Sequence, residues 1–477
     1  MASLYNIEDK DSIVEFAKQF VGKSIQSEFA NRLGELRLKD KDKGQLGKVI
    51  EELYFNYKPN SNAKADFEKA GLELKSSGLK QLRNNEYRAK ERLVLSIINY
   101  YKAVDENFEL DFLNGKNGHL LLIFYLYSKG LNQLSSIIKL VGDWKYPPSD
   151  LAIIKQDWLK IQQKIKAGKA HELSEGDTFY LGACTKGADA SSVRKQPFSN
   201  INAKQRAYSL KQGYVNHIIA SIASDRNEIY GKLITSQEEL REKTFEDYVV
   251  DKFKPYYGSS VEDISILTPK KLNIQTKNFY STIAKIILNV QLDKEIEEFE
   301  KANVVVKAIR VEENGNIIQS VSFPAFEFKK IYDEDWISSE MKDQIEKKFL
   351  FIFFKKKGSS YYLKKAKFWN MPLSDRNEVR RIWLKTKEII QTGKIFKDYD
   401  RDKDGNIRLS AKGNPIKLNN FPKMAESPIC HIRPHGSDST ETYELPVIEK
   451  TLNVTEYSKQ CFWLKNTYIR NEIYLTD

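Results

Sequence analysis

Two decapeptides of this chain align without a gap, and the pair points to a duplicated architecture. Residues 66–75 read Asp-Phe-Glu-Lys-Ala-Gly-Leu-Glu-Leu-Lys; residues 298–307 read Glu-Phe-Glu-Lys-Ala-Asn-Val-Val-Val-Lys. Weaker matches keep the same order. Phe245-Glu246-Asp247-Tyr248 follows Ile50–Tyr54, Ser320–Phe326 follows Arg92–Tyr101, the apolar run at Phe349 follows that at Leu120, and Phe462–Tyr468 follows Tyr208–Tyr214. Matched segments in one fixed order mark a repeated domain. A chain of 477 residues holds two domains of about 200 residues each. The polar stretch Ser224–Glu239 is the expected boundary, giving a first domain over 1–225, a linker over 226–240 and a second domain over 241–477.

Within each half the pattern is mixed. Apolar spacing predicts helices at Ile13–Phe20, Leu46–Tyr57 and Asp150–Ala167, the last with Ile153, Ile154, Trp158, Ile161 and Ile165 on one face. Strands are expected at Leu72–Lys75, Leu93–Ile98, Leu120–Leu126 and Phe349–Phe354, with a helix or strand-helix at Tyr208–Ile222. The longest apolar runs are too short to cross a bilayer. The expected fold class is therefore α/β (α+β-like), in two tandem domains with mixed, mostly antiparallel sheets. Cys184, Cys430 and Cys461 form no CxxC pair, which argues against a disulfide framework or a structural zinc and fits a reducing cytoplasm. A surplus of 77 basic over 65 acidic residues on a Tyr-rich chain suggests a polyanionic partner.

The first decapeptide carries chemistry. On a strand, Glu73 and Lys75 leave the same face, while Leu72 and Leu74 point into the core. Asp66 precedes them closely enough to converge, and Glu52 on the preceding helix is a candidate fourth member. Two carboxylates suit Mg²⁺, which prefers oxygen ligands and keeps several waters. Such a cation activates water against a phosphodiester, and Lys75 can orient that water or offset charge on the phosphorane. Asp66 and Glu73 are the expected metal ligands; Asp66, Glu73, Lys75 and Glu52 are the expected catalytic set. The second copy has Val305 in place of Glu73, so it loses a ligand. Glu298 and Lys307 are expected to pair with each other instead.

The surrounding segments make the pattern specific. Glu52, Asp66, Gly71–Lys75, Lys90–Leu95, His171–Gly176, Cys184–Ala188 and Lys204–Tyr208 together resemble the MutH-like nucleases. The resemblance is closest to the two-domain type II restriction endonucleases of that family, and it spans the chain. It implies Mg²⁺-dependent hydrolysis of double-stranded DNA at GATC, with no membrane partner and two chains meeting on the palindrome or one acting twice. It implies that Lys186 reads bases, at the place of a family Arg-Pro-Lys loop that is Cys184-Thr185-Lys186 here. A family tyrosine falls on Ser209, and Arg194, Lys204, Arg206 and Lys211 join as DNA-binding residues. In the second half, Arg433-Pro434-His435 resembles the same loop. Arg433, His435 and Lys465 are then expected to bind a further DNA site as an effector. A mismatch-repair nicking endonuclease and a non-cleaving DNA-binding regulator are the alternatives.

Other signals weigh less. Asp400–Ala411 mimics the start of a calcium loop but ends in Ala411 rather than glutamate, so Asp404-Gly405 reads as a hairpin turn. Cys430, His431 and His435 lack further ligands nearby. His171 reads as structural, and Lys355–Lys357 as a solvated hairpin end.

Overall fold

The structure, a computed structural model, describes residues 4–35, 45–57, 64–82, 85–128, 130, 132–187, 191–223, 230–276, 278–410, 413–436 and 440–476. In the first half the strands are β1 (Glu73–Gln81), β2 (Tyr87–Ala89), β3 (Leu93–Ile97), β4 (His119–Leu126), β5 (Ile138–Lys145), β6 (Leu181–Thr185), β7 (Val193–Gln196), β8 (Ser199–Lys204) and β9 (Arg206–Leu210). They build a sheet of order β2-β1-β4-β5, a second of order β3-β9-β6, and the hairpin β7-β8. Only β1 and β4 run parallel within these sheets, with Glu73 opposite Leu120 and Lys75 opposite Leu122. The mixed, mostly antiparallel α/β class read from the sequence is thus observed.

The expected helices and strands are present. The helix Lys10–Lys18 starts at Asp9, whose side chain accepts the Asp11 amide. Its apolar face joins Leu72, Leu74, Leu121 and Ile123 in one core, so the carboxylate-bearing strand rests on fully buried leucines. The helix Pro148–Lys166 buries Ile153, Ile154, Trp158, Ile161 and Ile165 as the spacing predicts. It also buries Asp157, whose oxygens accept the amides of Phe179, Tyr180 and Leu181 at 2.7, 2.6 and 2.9 Å and so fix the entry to β6.

The remaining strands are β10 (Tyr230–Gly231), β11 (Glu295–Ile296), β12 (Val305–Val311), β13 (Val321–Phe326), β14 (Phe349–Lys357), β15 (Ser360–Trp369), β16 (Phe396–Tyr399), β17 (Lys417–Asn419), β18 (Cys430–Pro434), β19 (Thr442–Glu449), β20 (Val454–Ser458) and β21 (Gln460–Leu464). The repeat is visible in their order. Sheet β12-β14-β15 restates β1-β4-β5, sheet β13-β21-β18 restates β3-β9-β6, and hairpin β19-β20 restates β7-β8. The helix Leu373–Thr392, which follows β15, restates Pro148–Lys166, which follows β5. The chain tightens at Asp402–Gly405, closed by the Arg401–Ile407 bridge, where a hairpin turn was expected.

Contacts divide the chain into Met1–Lys252 with Lys285–Val305, and Phe253–Ala284 with Val306–Asp477. The expected linker lies outside the described residues up to 229; its described part, 230–240, falls inside the first unit, and so does the second decapeptide up to Val305. Parallel pairing of β10 with β11 ties the late segment into that unit. Its helix Glu297–Ala302 buries Lys301, whose amine bonds both oxygens of Asp150 at 2.9 and 3.0 Å. A Cβ on Gly213 would lie 2.0 Å from the Glu300 carbonyl oxygen, so only glycine permits this approach.

Candidate active site

The turn that brings Asp66 to Glu73 is local. Phe67 and Leu72 form an antiparallel bridge, and Gly71 closes the turn at φ +63°, a conformation suited to glycine. Asp66 then lies across from the start of β1. Its amide donates to Glu73 Oε2 at 3.1 Å, and its own Oδ2 accepts the Leu74 amide at 3.0 Å. Lys75 donates to Glu73 Oε1. The three residues predicted to converge are thus in contact, with Glu73 buried and Leu72 and Leu74 in the core behind.

Two residues not singled out by sequence reasoning join them. Lys116, at the end of the helical segment Phe108–Asn117, places Nζ 3.8 Å from Glu73 Oε1. Glu51, on the single π-helical turn Ile50–Tyr54, has its carboxyl pushed up to about 7. Burial is the first cause; Asp66 and Glu73 add to it, and Lys75 and Lys116 oppose it. Glu73 is also raised, by burial first, against the pull of Lys75. The only sequence signal for Glu51 was its place beside Glu52. Glu51 and Glu52 both lie on this irregular turn, where a regular 3.6-residue count does not anticipate the direction of a side chain.

This donor set fits a hard divalent cation. Burial and mutual repulsion disfavour the charged carboxylates, and a dication offsets both. Among the described residues no group of three or more His, Cys, Asp or Glu encloses a point. The site is a pair of carboxylate residues in contact, Glu73 buried and Asp66 half-buried, rather than a closed cage.

The predicted DNA contacts separate into two groups. Lys186, just beyond β6, and Arg194 on β7 are exposed, and Lys204 is half-buried. The others are corrected. Arg206 is buried, with its guanidinium on the carbonyls of Ala183 and Leu173. Ser209 is 0 % exposed, and Lys211 is buried with its amine on the Thr178 carbonyl. Arg206 and Lys211 are consumed by the backbone and hold β9 to β6 and its approach, and Ser209 is fully buried, so none of the three faces outward.

The second half repeats this arrangement with different chemistry. The Lys186 amide donates to the Gln205 carbonyl at 2.7 Å; the His435 amide donates to the Lys459 carbonyl at 2.9 Å. Leu181 opposes Leu210, and Cys430 opposes Leu464. By this register His435 stands where Lys186 does, and Arg433 where Cys184 does. Trp463, unnoticed in the sequence, stands at the place of Ser209. The Arg433 guanidinium lies over its ring, 5.1 Å from the centroid, and the His435 ring meets it edge-on at 5.9 Å. Lys465 is half-buried, with its amine on the carbonyls of Met424 and Ser427 at 2.9 and 3.0 Å, so it repeats the bracing role of Lys211 rather than facing outward.

The expected Glu298–Lys307 pair is also corrected. Glu298 accepts the amides of Leu233 and Ile234 at 2.9–3.0 Å. Backbone donors presented by the strap ahead of it satisfy this carboxylate without a lysine.

An Asp…Glu-X-Lys face on β1 of a mixed sheet, with a lysine beyond β6, is the arrangement of a nuclease. The profile of the family described as DNA mismatch repair enzyme MutH matches residues 55–157, which include Asp66, Glu73, Lys75 and Lys116. Over 97 % of its length, and 98 % of the relative's, the chain is 36 % identical to the type II restriction enzyme Sau3AI of Staphylococcus aureus. The chain belongs to this MutH-like family of restriction endonucleases and is a site-specific deoxyribonuclease. No helix among the described residues is long and apolar enough to cross a membrane.

Proposed function

We propose that this enzyme cleaves both strands of DNA at GATC with Mg²⁺, using the Asp66–Glu73–Lys75 face, and that its second half binds another DNA site as an effector. The observation that carries the cleavage reading is the contact of Asp66, Glu73 and Lys75 around one buried carboxylate, with Lys116 beside it. Asp66 and Glu73 are the ligands we assign to the cation, with Glu51, whose carboxyl is pushed up by burial and by the charges of Asp66 and Glu73, beside Glu52 as auxiliary carboxylates. Bound Mg²⁺ supplies an activated water and polarises the scissile phosphate. In this reading Lys75 orients the attacking water, and Lys116 offsets charge on the phosphate oxygens.

Specific reading in the first half rests on exposed Lys186, since a lysine can donate to guanine O6 and N7 in the major groove. In the second half it rests on Arg433 and His435, held by Trp463. A single cutting site per chain requires either two chains on the palindrome or two successive events. Supercoiled plasmids with no, one or two GATC sites, incubated with Mg²⁺ or EDTA, test the whole reading. Linear product from GATC plasmids alone, dependent on Mg²⁺, is expected. Accumulation of nicked circles identifies a nicking enzyme, and binding without any cut identifies a regulator.

A further inference from the structure

The tip of hairpin β7-β8 carries an exposed phenylalanine in a backbone conformation that phenylalanine resists. Gln196 pairs with Ser199, so Pro197 and Phe198 form the turn. The proline ring holds φ negative, and the left-handed place falls to Phe198 at φ +59°. Such places ordinarily seat glycine or asparagine, and each of the other five non-glycine residues with positive φ among the described residues is an asparagine. The ring gains little burial in return, since Phe198 is 73 % exposed.

The second half supplies the comparison, because its hairpin β19-β20 has the same footing. Gln196 is buried, accepts the Ala170 amide at 2.7 Å and donates to the Ile201 carbonyl at 2.6 Å. Glu449, buried at the end of β19, accepts the amides of Phe396 and Thr451 at 3.2 and 3.0 Å. A Cβ on Gly168 would lie 2.4 Å from the Phe198 carbonyl oxygen, and one on Gly393 2.6 Å from that of Ile448. The tips differ. The left-handed residue just ahead of β20 is Asn453, at φ +52°. Asparagine therefore satisfies the fold, and the phenylalanine of the first half answers to something else. Its hairpin springs from the place of Lys186. The Lys186 amide donates to the Gln205 carbonyl, just past β8, and the Gln205 amide to the Ser192 carbonyl, just ahead of β7. Arg194 and Lys195 on β7 are exposed. The 6 residues of β8 reach about 20 Å, the length of about six base pairs.

We propose that Phe198 is a wedge that enters the bound DNA and unstacks a base step within about six base pairs of the base read by Lys186. The inference rests on the reading of the first half as the half that cuts at GATC, and it adds a deformation of that substrate. A ring on a clamped turn is held ready before binding, and strain of this kind is kept where function uses it. Arg194 and Lys195 beside it suit the phosphates on the flanks. Unstacking favours steps that yield easily, so Phe198 contributes specificity without a hydrogen bond to a base.

The test uses the full chain, with Ca²⁺ in place of Mg²⁺ to hold the duplex uncut. Each duplex carries one GATC site and a single 2-aminopurine, placed in turn at every position up to about six base pairs on either side. This base brightens when it loses a stacking neighbour. Wild type is expected to raise the fluorescence by about threefold or more at one step. Phe198→Asn should keep the melting temperature, bind the duplex without that rise, and cut about tenfold more slowly or worse in Mg²⁺. Phe198→Trp should keep the rise. An equal rise with Phe198→Asn, or no rise at any position on a duplex that wild type holds, overturns this inference alone. A lower melting temperature in Phe198→Asn assigns the ring to the fold and overturns it as well. Wild type that holds scrambled duplexes as tightly as GATC duplexes overturns the GATC reading, and with it the placement of the wedge beside that site.

Discussion

Lys301 and Asp150 form a buried ion pair inside the first unit, although Lys301 belongs to the second decapeptide. Tyr214 donates to the same carboxylate at 2.9 Å, and Glu297 accepts from the same amine at 2.7 Å. Breaking such a pair strands a charge and costs about 3–5 kcal/mol. Lys301→Met should therefore lower stability by that order in denaturant titrations. Adding Asp150→Asn should recover part of the loss, and additivity of the two changes would exclude the pairing.

The same contact fixes where the chain can be divided. A fragment of residues 1–225 lacks β11 and the helix Glu297–Ala302, so it should melt well below a fragment of residues 1–305. Gly213→Ala should act on the full chain in the same sense, because its Cβ would meet the Glu300 carbonyl. Calorimetry on the two fragments and the variant checks both.

Asp66→Ala, Glu73→Ala and Lys75→Ala should each slow cleavage by about 1,000-fold or more, on the order of 4 kcal/mol in the transition state. Specific binding should persist in each. Lys116→Ala should have a smaller effect, about 10–100-fold. Single-turnover rates on a short duplex measure these; a wild-type rate in Glu73→Ala would remove the site assignment.

Glu51 sets a pH dependence. Its carboxyl titrates near 7 in the folded chain against an ordinary 4.5. Between those values the folded state holds more protons than the unfolded one, so stability falls as pH rises through the window. After allowance for its partial exposure the loss is on the order of 1 kcal/mol. Glu51→Gln should flatten this slope, and Mg²⁺ should restore stability at pH 8 in wild type but less in the variant. Melting curves from pH 5 to 8, with and without Mg²⁺, decide it.

Lys186→Ala should weaken binding to GATC duplexes by about 1–3 kcal/mol more than binding to scrambled ones. Arg433→Ala should instead abolish the faster cutting of a two-site plasmid and its rescue by a short GATC duplex in trans. Equal rates on one-site and two-site plasmids would remove the effector role.

Much of this was legible in the sequence. The decapeptide spelled out Asp66, Glu73 and Lys75, because a two-residue spacing on a strand fixes which side chains share a face. The helix Pro148–Lys166 announced itself by its apolar period. Glu51 and Lys116 were hidden because each sits on an irregular helical turn, where the angle of a side chain does not follow from counting. Arg206, Lys211 and Lys465 misled because a basic residue looks the same in a sequence whether it faces solvent or a ring of carbonyls. Trp463 stood in the sequence only as part of a repeat match, and it is half-exposed under Arg433.

Asn303 occupies the place of Gly71 and keeps its left-handed backbone, at φ +53° against +63°. The turn that once aimed an acid at a strand has therefore survived the loss of its purpose. Yet reversal is closed. Val305→Glu would return one ligand only, since Glu298 is already held by the Leu233 and Ile234 amides and Lys301 by Asp150. The old catalytic loop has become masonry of the neighbouring fold, and a single reversion cannot make the duplicate cut again.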